Sequence, residues 1–414
     1  MFNRLFVRSD ALTRQLSSPL ADERRQYLAN CEEQGMSKST LRSKARILLC
    51  ITNYLKLAQR PQVEISIQEI ERAASRWSRK NCPSTSKRLR EEFVSEAVAW
   101  LSFLSRLQIQ STPAKAYDQM VAEFREFMEK DRGLSPATVE HRCYSVRPFL
   151  DRLLGEERSL DMVSVADIDS LLAQKVNEHH YARMSVRGYA SSLRSFLRYA
   201  EIRGWCAGGI ADSIMAPRVF RQEKLPSGPT WDVVQEVLQA TSGDQPADIR
   251  DHAILMLFAV YGVRRSEVAR LQLSDIDWQK ERIVFTRAKA GGSHSFPLLD
   301  SVGAAIIRYL KEVRPKSRCR EVFLTMHAPI GPISGGAMWA IVGRQLRGRA
   351  LSIRHHGPHS LRHACATRLI NQGLSLKEVG DHLGQRDLDA TRIYAKVDLV
   401  HLRQVASFDL GGLL

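Results

Sequence analysis

The sequence of 414 residues contains no hydrophobic run long enough to cross a membrane. Its longest apolar run, residues 253–260, falls well short of the ~20 residues that a spanning helix needs. The first ten residues, MFNRLFVRSD, also lack the apolar core and the cleavage site of a secretory signal peptide. These absences argue against a membrane or secreted protein and predict a protein of the cytoplasm.

Cysteine is sparse and shows no pairing pattern. The seven cysteines are odd in number, lie scattered along the chain and never form a C-x-x-C motif. A disulfide framework or a structural zinc site needs paired or clustered cysteines. We therefore expect reduced thiols in a cytosolic protein, with no metal site and no cofactor.

Acidic residues are outnumbered by basic ones. The chain has 61 Lys and Arg against 45 Asp and Glu, a formal charge of +16 and a pI of about 9.7. Such a balance predicts a polyanionic partner. Ribosomal and membrane-surface proteins are also basic, so charge alone favours nucleic acid only moderately. The excess is uneven: residues 1–112 carry +8, residues 113–225 carry +1 and residues 226–414 carry +7.

The first half of the chain has the periodicity of helices and contains an internal repeat. Three segments recur in the same order. Residues 35–41 resemble residues 133–139, and residues 65–70 resemble residues 163–168, both at a spacing of 98. Residues 102–104 resemble residues 195–197 at a spacing of 93. Shared spacing predicts duplication of one small helical domain, and chance similarity between amphipathic helices is the alternative. Ser37 and Ser135 are the expected N-caps of one helix pair, and Ser66 and Ser164 of the next.

Three domains follow from this pattern. Residues 216–229, APRVFRQEKLPSGP, contain three prolines without periodicity and are expected to form a linker. We predict an extra N-terminal helical domain over 1–112, a second helical domain over 113–215, and a domain over 230–414 that ends in a tail helix. This last domain should contain a hairpin of two short strands, so the predicted fold class is mainly α with a small β-sheet (α+β).

The region between His359 and Tyr394 holds the densest group of chemically active side chains. It opens with H-S-L-R-H before an apolar helix-period run that Gly373 should end. A second periodic segment should end at Gly384, and a third carries T-R-I-Y. A helix N-terminus presents backbone N–H groups, and an arginine fork suits phosphate oxygens. Each motif alone is more often structural than functional.

Together, the order and spacing of H-x-L-R-H, L-G-x and T-x-x-Y resemble the C-terminal signature of the tyrosine recombinases, the phage-integrase family. The resemblance implies an upstream Arg in a G-L-R-x-S-E-like segment, and residues 262–267, G-V-R-R-S-E, supply it. It also implies a Lys on a β-hairpin between these motifs, where Lys289 fits. The resemblance covers roughly residues 113–410 and implies that the second helical copy is a SAM-like core-binding domain before a tyrosine-recombinase catalytic domain. With the internal repeat, which simple family members lack, the prediction is tandem SAM-like helical domains before the catalytic domain.

The resemblance implies a site-specific recombinase or integrase that acts through a 3′-phosphotyrosyl intermediate in the integration, excision or transposition of a mobile element. Breaking a phosphodiester without a metal needs a nucleophile, neutralisation of phosphoryl charge and a proton for the leaving oxygen. Tyr394 is implied as the nucleophile and Lys289 as the general acid. Arg264 and Arg362 would bind the phosphate, and His359 would accept or relay the tyrosine proton or bind the phosphate.

Three other positions support or qualify this prediction. Glu267 is expected to orient Arg264, and His363 is open to a structural role. Where the family pattern usually reads L-G-H, or has Trp, this chain has Gln385, whose amide can donate a hydrogen bond but carries neither charge nor proton. An active recombinase is therefore expected, with a catalytically weakened DNA-binding accessory protein as the alternative. A type IB topoisomerase shares the chemistry, but the small size and the tandem helical domains argue against it.

The expected DNA contacts lie on the second helical domain and beside the first catalytic Arg. The helix predicted over 181–203 carries a row of arginines that is either a solvated face or a track along phosphates, and the resemblance favours the track: Arg183, Arg187, Arg194 and Arg198. Arg265 is a further candidate. The implied partners are a double-stranded recombination site and a homo- or hetero-tetramer on the bacterial nucleoid. The N-terminal copy should contact DNA, with a protein–protein module as the alternative.

Overall fold

The structure is a computed structural model that describes residues 1–81, 86–108, 115–156, 158–178, 180–218, 228–287, 292–349, 353 and 355–384. The chain divides into two compact units, one of Gln110–Glu223 and one that combines Met1–Ile109 with Lys224–Leu414. No helix within the described ranges is long and apolar enough to span a membrane. Helices dominate and the strands are short, so the predicted fold class is confirmed.

The N-terminal segment of the larger unit is helical and has its own core around the fully buried Phe93 and Trp100. Two short strands pair in parallel, with Ile65 opposite Leu107. The elements are α1 (Phe2–Leu5), α2 (Ser9–Ser17), α3 (Ala21–Glu33), α4 (Lys38–Tyr54), a 3-10 turn (Leu57–Gln59), β1 (Ile65–Ser66), α5 (Ile67–Asn81), α6 (Ser86–Phe103) and β2 (Leu107–Gln108).

The smaller unit is a helical domain with a second, separate core, in which Phe124 and Phe196 make an edge-to-face contact. Its elements are α7 (Asp118–Lys130), α8 (Pro136–Gly155), a 3-10 turn (Leu160–Met162), α9 (Val165–Asn177), α10 (Arg183–Ile202) and α11 (Ile210–Ser213). The predicted linker follows this domain, and most of it, residues 219–227, lies outside the described residues.

The four predicted N-caps are confirmed, two in the N-terminal segment and two in the smaller unit. The hydroxyl of Ser37 accepts the N–H of Thr40 at 3.2 Å, and that of Ser135 accepts the N–H of Thr138 at 3.4 Å. At the start of α5, the hydroxyl of Ser66 accepts the N–H of Glu69 at 3.3 Å. At the start of α9, the hydroxyl of Ser164 accepts the N–H of Asp167 at 3.4 Å. Equivalent bonds at a constant spacing of 98 support the predicted duplication.

The third predicted equivalence, of residues 102–104 with 195–197, is wrong by three residues. Phe103 is 42% exposed, whereas Phe196 is fully buried. Burial instead aligns α6 with α10 at a spacing of 96, because Trp100 and Leu101 are buried like Phe196 and Leu197. The S-F-L triplets of α6 and α10 therefore share a sequence but lie on different faces of their helices.

The C-terminal part of the larger unit surrounds the buried helix α13 and a three-stranded antiparallel sheet in the order β3-β4-β5. The predicted hairpin is confirmed, with Ile283 opposite Phe296. The elements are α12 (Trp231–Ala240), α13 (Pro246–Tyr261), α14 (Arg265–Ala269), a 3-10 turn (Leu273–Asp275), β3 (Ile276–Asp277), β4 (Arg282–Thr286), β5 (Ser293–Pro297), α15 (Asp300–Arg308), a π-turn (Tyr309–Val313), α16 (Gly335–Arg347), α17 (Pro358–Asn371) and α18 (Leu376–Leu383).

Candidate active site

The first candidate residue, Arg264, stands at the junction of α13 and α14. Gly262 ends α13 with a left-handed φ of +58°, and a side chain there would meet Leu383 at 2.7 Å, so the turn requires glycine. Arg264 follows two residues later, and the carboxylate of Glu267 accepts its backbone N–H at 2.7 Å and its Nη1–H at 2.9 Å. Glu267 is 6% exposed and the Arg264 side chain 42%. A buried carboxylate therefore holds an accessible guanidinium in one orientation.

The second arginine, Arg362, lies one turn inside α17 and is only 3% exposed. Its Nη1 donates to the carbonyl of Gly262 at 2.6 Å and its Nη2 to the carbonyl of Leu383 at 2.7 Å. Charge-assisted bonds of this kind are the strong class of hydrogen bond. Arg362 thus joins the turn before Arg264 to the end of α18, a positioning role that the motif spacing did not predict.

One cavity of about 390 Å³ brings the sequence-predicted residues together. Four of them, Arg264, Arg265, His359 and Arg362, lie in its wall, although the two motifs are almost a hundred residues apart. Glu267 stands behind Arg264. His363 does not line the cavity, but its ring meets that of His359 edge-on with centroids 4.4 Å apart.

Sequence reasoning missed two residues in the same wall, Trp339 and His355. Trp339 is 43% exposed on α16, and it lies so close to Gly357 that a Cβ there would be 2.5 Å from the indole. Its position depends on long-range packing of α16 against α17, for which the sequence gives no local signal. His355 had a weak signal, because it belongs to the basic run R-H-H just before the motif.

Both histidines of the motif are poised to be neutral near pH 7. Loss of hydration lowers the pKa of His359, and the positive charges of Arg362, His355 and Arg264 lower it further. Burial, and then the neighbouring His359 and Arg362, lower the pKa of His363 to about 4. A neutral imidazole can accept a proton, as His359 would need to do.

The hairpin that leads to Lys289 is tied to the end of α18. Arg287 directly follows β4 and is the last described residue before Lys289. Its Nη1 donates to the carbonyl of Gly384 at 3.0 Å, and its Nη2 contacts Nδ1 of His294. His294 stacks on Phe296 with centroids 4.2 Å apart. His382 meets the same Phe296 edge-on, at 5.1 Å. His382 therefore packs towards the sheet and is not a substitute for the usual histidine at position 385.

Three predicted catalytic residues, Lys289, Gln385 and Tyr394, lie outside the described residues. Arg287, two residues before Lys289, and Gly384, directly before Gln385, are described and contact each other. The roles of Lys289, Gln385 and Tyr394 therefore stay predictions from sequence.

The predicted arginine row lies on one side of α10, within an arc of about 60° at 100° per residue. Arg194 and Arg198 make the following contacts inside the domain. Arg194 donates to the carbonyl of Ile214 at 2.7 Å, and Arg198 pairs with Asp212 at 2.7 Å. The Arg198 pair is exposed on both sides and contributes little stability, so Arg198 can exchange Asp212 for another anion at low cost. Arg183 and Arg187 are exposed near the start of the helix.

Comparisons with known proteins agree on one family. Residues 230–401 match the profile described as "Phage integrase family", and residues 121–204 match "Phage integrase, N-terminal SAM-like domain". The tyrosine recombinase XerC of Halalkalibacterium halodurans is 30% identical over 70% of this chain and 96% of its own length. The integrase/recombinase y4rA of Sinorhizobium fredii is 34% identical over 72% of this chain and 73% of its own.

Solved structures show the same fold at lower identity. XerH site-specific recombinase, in a post-cleavage complex with a palindromic difH substrate, superimposes with a TM-score of 0.54 at 15% identity, over 84% of this chain and 98% of its own. A lambda integrase dimer bound to a COC′ core site gives 0.53 at 18% identity, over 76% and 90%.

Proposed function

The chain belongs to the phage integrase family of tyrosine recombinases, and we propose that it breaks and rejoins duplex DNA at a specific site through a covalent link to Tyr394. The observation that carries the proposal is the shared cavity wall of Arg264, His359 and Arg362. Arginines and neutral histidine on one concave surface suit a phosphodiester that is attacked without a metal.

In the proposed reaction the phenolic oxygen of Tyr394 attacks the phosphorus of the scissile phosphate in line. The bond from phosphorus to the 5′ oxygen breaks, and a 3′-phosphotyrosyl ester forms. His359 takes the phenolic proton, and Lys289 gives a proton to the departing 5′ oxygen, which leaves as a hydroxyl. Attack by a second 5′-hydroxyl reverses each step, so strand exchange needs no external energy source.

Arg264 is the better placed of the two arginines to bind the phosphate directly. Its side chain is 42% exposed and is fixed by Glu267, whereas Arg362 lies beneath, fastened to two carbonyls. A fixed donor aimed at a developing charge lowers the barrier because it needs no reorganisation during the reaction. Arg362 also joins the turn at Gly262 to the end of α18 at Leu383, and Arg265 would add a further cation for DNA in the cavity wall.

The test is covalent trapping on a nicked duplex. A binding site is first selected from random-sequence duplexes with the full-length protein. A nick just downstream of the scissile phosphate then lets a short fragment diffuse away, so the protein remains attached to DNA in SDS. The accessory-protein alternative predicts selective binding without any adduct, and a type IB topoisomerase predicts relaxation of supercoiled DNA without site preference.

Lys289→Ala should slow cleavage strongly, and a substrate with sulfur at the 5′-bridging position should restore the rate, because a thiolate leaves without a proton. The measurement is single-turnover cleavage of the oxygen and sulfur substrates by both proteins. If sulfur gives no rescue, the acid lies elsewhere. His294 is a poor replacement, since burial and then Arg287 lower its pKa and leave it neutral.

Gln385→His should raise the cleavage rate or leave it unchanged, because a histidine can reproduce the amide's hydrogen bond to the phosphate and can also carry charge. The same single-turnover assay measures it. A large fall in rate would show that Gln385 has a packing or regulatory role of its own.

The assembly and setting belong to the same proposal. A lambda integrase of the same fold has been solved as a tetramer bound to a Holliday junction, with a TM-score of 0.52. We propose the same assembly for this chain. Four subunits, of one or two kinds, would act on two duplex sites of a mobile element in the bacterial cytoplasm. The α10 arginine row would follow the phosphates of each site.

A further inference from the structure

The two helical domains contain the same groove at equivalent positions. In the N-terminal domain it has a volume of about 840 Å³ and is bounded by α5, α6 and the end of α4. In the second domain a groove of about 840 Å³ is lined by α9 and the end of α8. Five lining pairs correspond at a spacing of 98, the spacing of the N-caps: Tyr54 and Arg152, Arg72 and Ser170, Ser75 and Ala173, Arg76 and Gln174, Arg79 and Asn177.

The charges in the two grooves differ sharply. The N-terminal groove has six cations against two acids, Glu69 and Glu71, and the cations are Lys56, Arg60, Arg72, Arg76, Arg79 and Arg90. The second groove has Arg152 and Lys175 against Asp151 and Glu178, and is neutral overall. The shape is therefore common to both domains, whereas the positive charge is special to the N-terminal one.

Five of these six cations make no ion pair with any residue that the structure describes. Arg60 pairs with Glu69 at 2.5 Å, and Arg76 donates to the carbonyl of Tyr54 at 3.4 Å. Arg72, Arg79 and Arg90 are exposed and have no carboxylate within ion-pair distance among the residues that the structure describes. Clustered like charges repel one another, so an unneutralised cluster in a groove favours an anionic ligand.

The α5 arginines have the geometry of a polyanion contact. Arg72, Arg76 and Arg79 are spaced four and three apart and share one face of the helix. They span about 10 Å along the α5 axis at 1.5 Å per residue, which corresponds to about three base-pair steps along the duplex axis, with one phosphate of each strand per step of about 3.4 Å. A small anion would need one or two of these side chains, and a strand of phosphates would engage all three.

The N-terminal domain also lacks the arginine row of the second domain. Aligned by burial at a spacing of 96, the positions of Arg183, Arg187, Arg194 and Arg198 correspond to Lys87, Glu91, Val98 and Ser102. Only Lys87 of these four positions is basic, so the N-terminal domain does not repeat the α10 row. Its three central groove arginines lie on α5 instead.

We propose that the N-terminal groove, centred on Arg72, Arg76 and Arg79, is a separate binding site for the phosphate backbone of duplex DNA. This proposal rests on the proposed function in one respect, because that function identifies the polyanion as duplex DNA. Contacts to phosphate are independent of sequence, so the groove adds affinity and length to the protein–DNA contact without reading bases.

The test exchanges the groove residues for their counterparts in the second domain: R72S, R76Q and R79N together. A matched control, R8S with R14Q and R25N, removes three other exposed arginines of the same domain that do not line the groove. A third variant keeps the charge as R72K, R76K and R79K. Full-length proteins are titrated with a 40-base-pair duplex of arbitrary sequence over a range of NaCl concentrations, and melting temperatures are recorded.

The neutral groove variant should flatten the slope of log affinity against log salt by about 3, since each lost phosphate contact removes about 0.9. The control and the lysine variant should keep nearly the wild-type slope. An unchanged slope in the neutral variant, or an equal loss in the control, would overturn the proposal. So would an intact slope with loss of the multi-subunit complex on DNA, which would point instead to an acidic surface of a second copy.

The salt titration tests the groove whether or not the protein cleaves DNA. Adduct formation at saturating protein is measured on the same three variants, and it should stay at the wild-type level because the groove lies outside the active-site cavity. If the wild-type protein forms no adduct, the proposed reaction fails while the salt titration still decides the role of the groove.

Discussion

Tyr394→Phe should abolish the covalent DNA adduct completely and leave DNA affinity within about tenfold of the wild-type value. The change removes one hydroxyl, which is the only proposed nucleophile, and a single lost hydrogen bond is worth about 1 kcal/mol in binding. The adduct is measured as an SDS-resistant complex on the nicked duplex, and affinity by gel shift on the intact one.

A matched control is available nearby. Tyr261→Phe removes a hydroxyl that accepts the N–H of Leu299 and donates to the carbonyl of Pro297, so it costs stability but removes no reacting atom. It should still form the adduct at a temperature where it is folded. An SDS-resistant complex with Tyr394→Phe would mean that another side chain attacks the phosphate.

Arg264→Lys should slow single-turnover cleavage on the order of 100-fold or more, with DNA binding much less affected. Lysine keeps the charge but offers a point donor in place of a planar fork, and loss of one donor to transition-state charge typically has this effect. Lysine should also keep part of the pairing to buried Glu267, so the protein should remain folded.

Arg270→Lys is the control, because Arg270 is exposed at the end of the same short helix and does not line the cavity. It should cleave at nearly the wild-type rate. Arg362→Lys should lose activity too, but it also removes bonds to two carbonyls and should lower the melting temperature. Near-normal cleavage by Arg264→Lys would contradict the proposed role of that guanidinium.

The local features of the fold followed from local chemistry. The helix ending at Leu383 was predictable because Gly384 adopts a left-handed φ of +64° that stops it. The caps at Ser37 and Ser135 were predictable because a serine hydroxyl replaces a missing helical partner. The contact of Arg264 with Glu267 spans three residues and could be expected from spacing alone.

Long-range features could not be read in the same way. The burial of Arg362 depends on carbonyls 100 and 21 residues away. The contact of Arg287 with Gly384 joins residues 97 apart. Each of the two equivalent grooves is formed by side chains of separate helices that no local pattern brings together. The S-F-L triplet was misleading because sequence similarity carries no information on which helix face is buried.

The most direct measurement of the central claim is the chemical identity of the protein–DNA bond. Trapped adduct is digested with nuclease and trypsin, and the peptide that retains a nucleotide is identified by mass spectrometry. The account predicts the nucleotide on Tyr394, in the tryptic peptide of residues 393–396, I-Y-A-K, joined through a 3′-phosphate, with a free 5′-hydroxyl on the released strand. A nucleotide on any other residue, a 5′-phosphate linkage, or selective binding that never yields an adduct would contradict it.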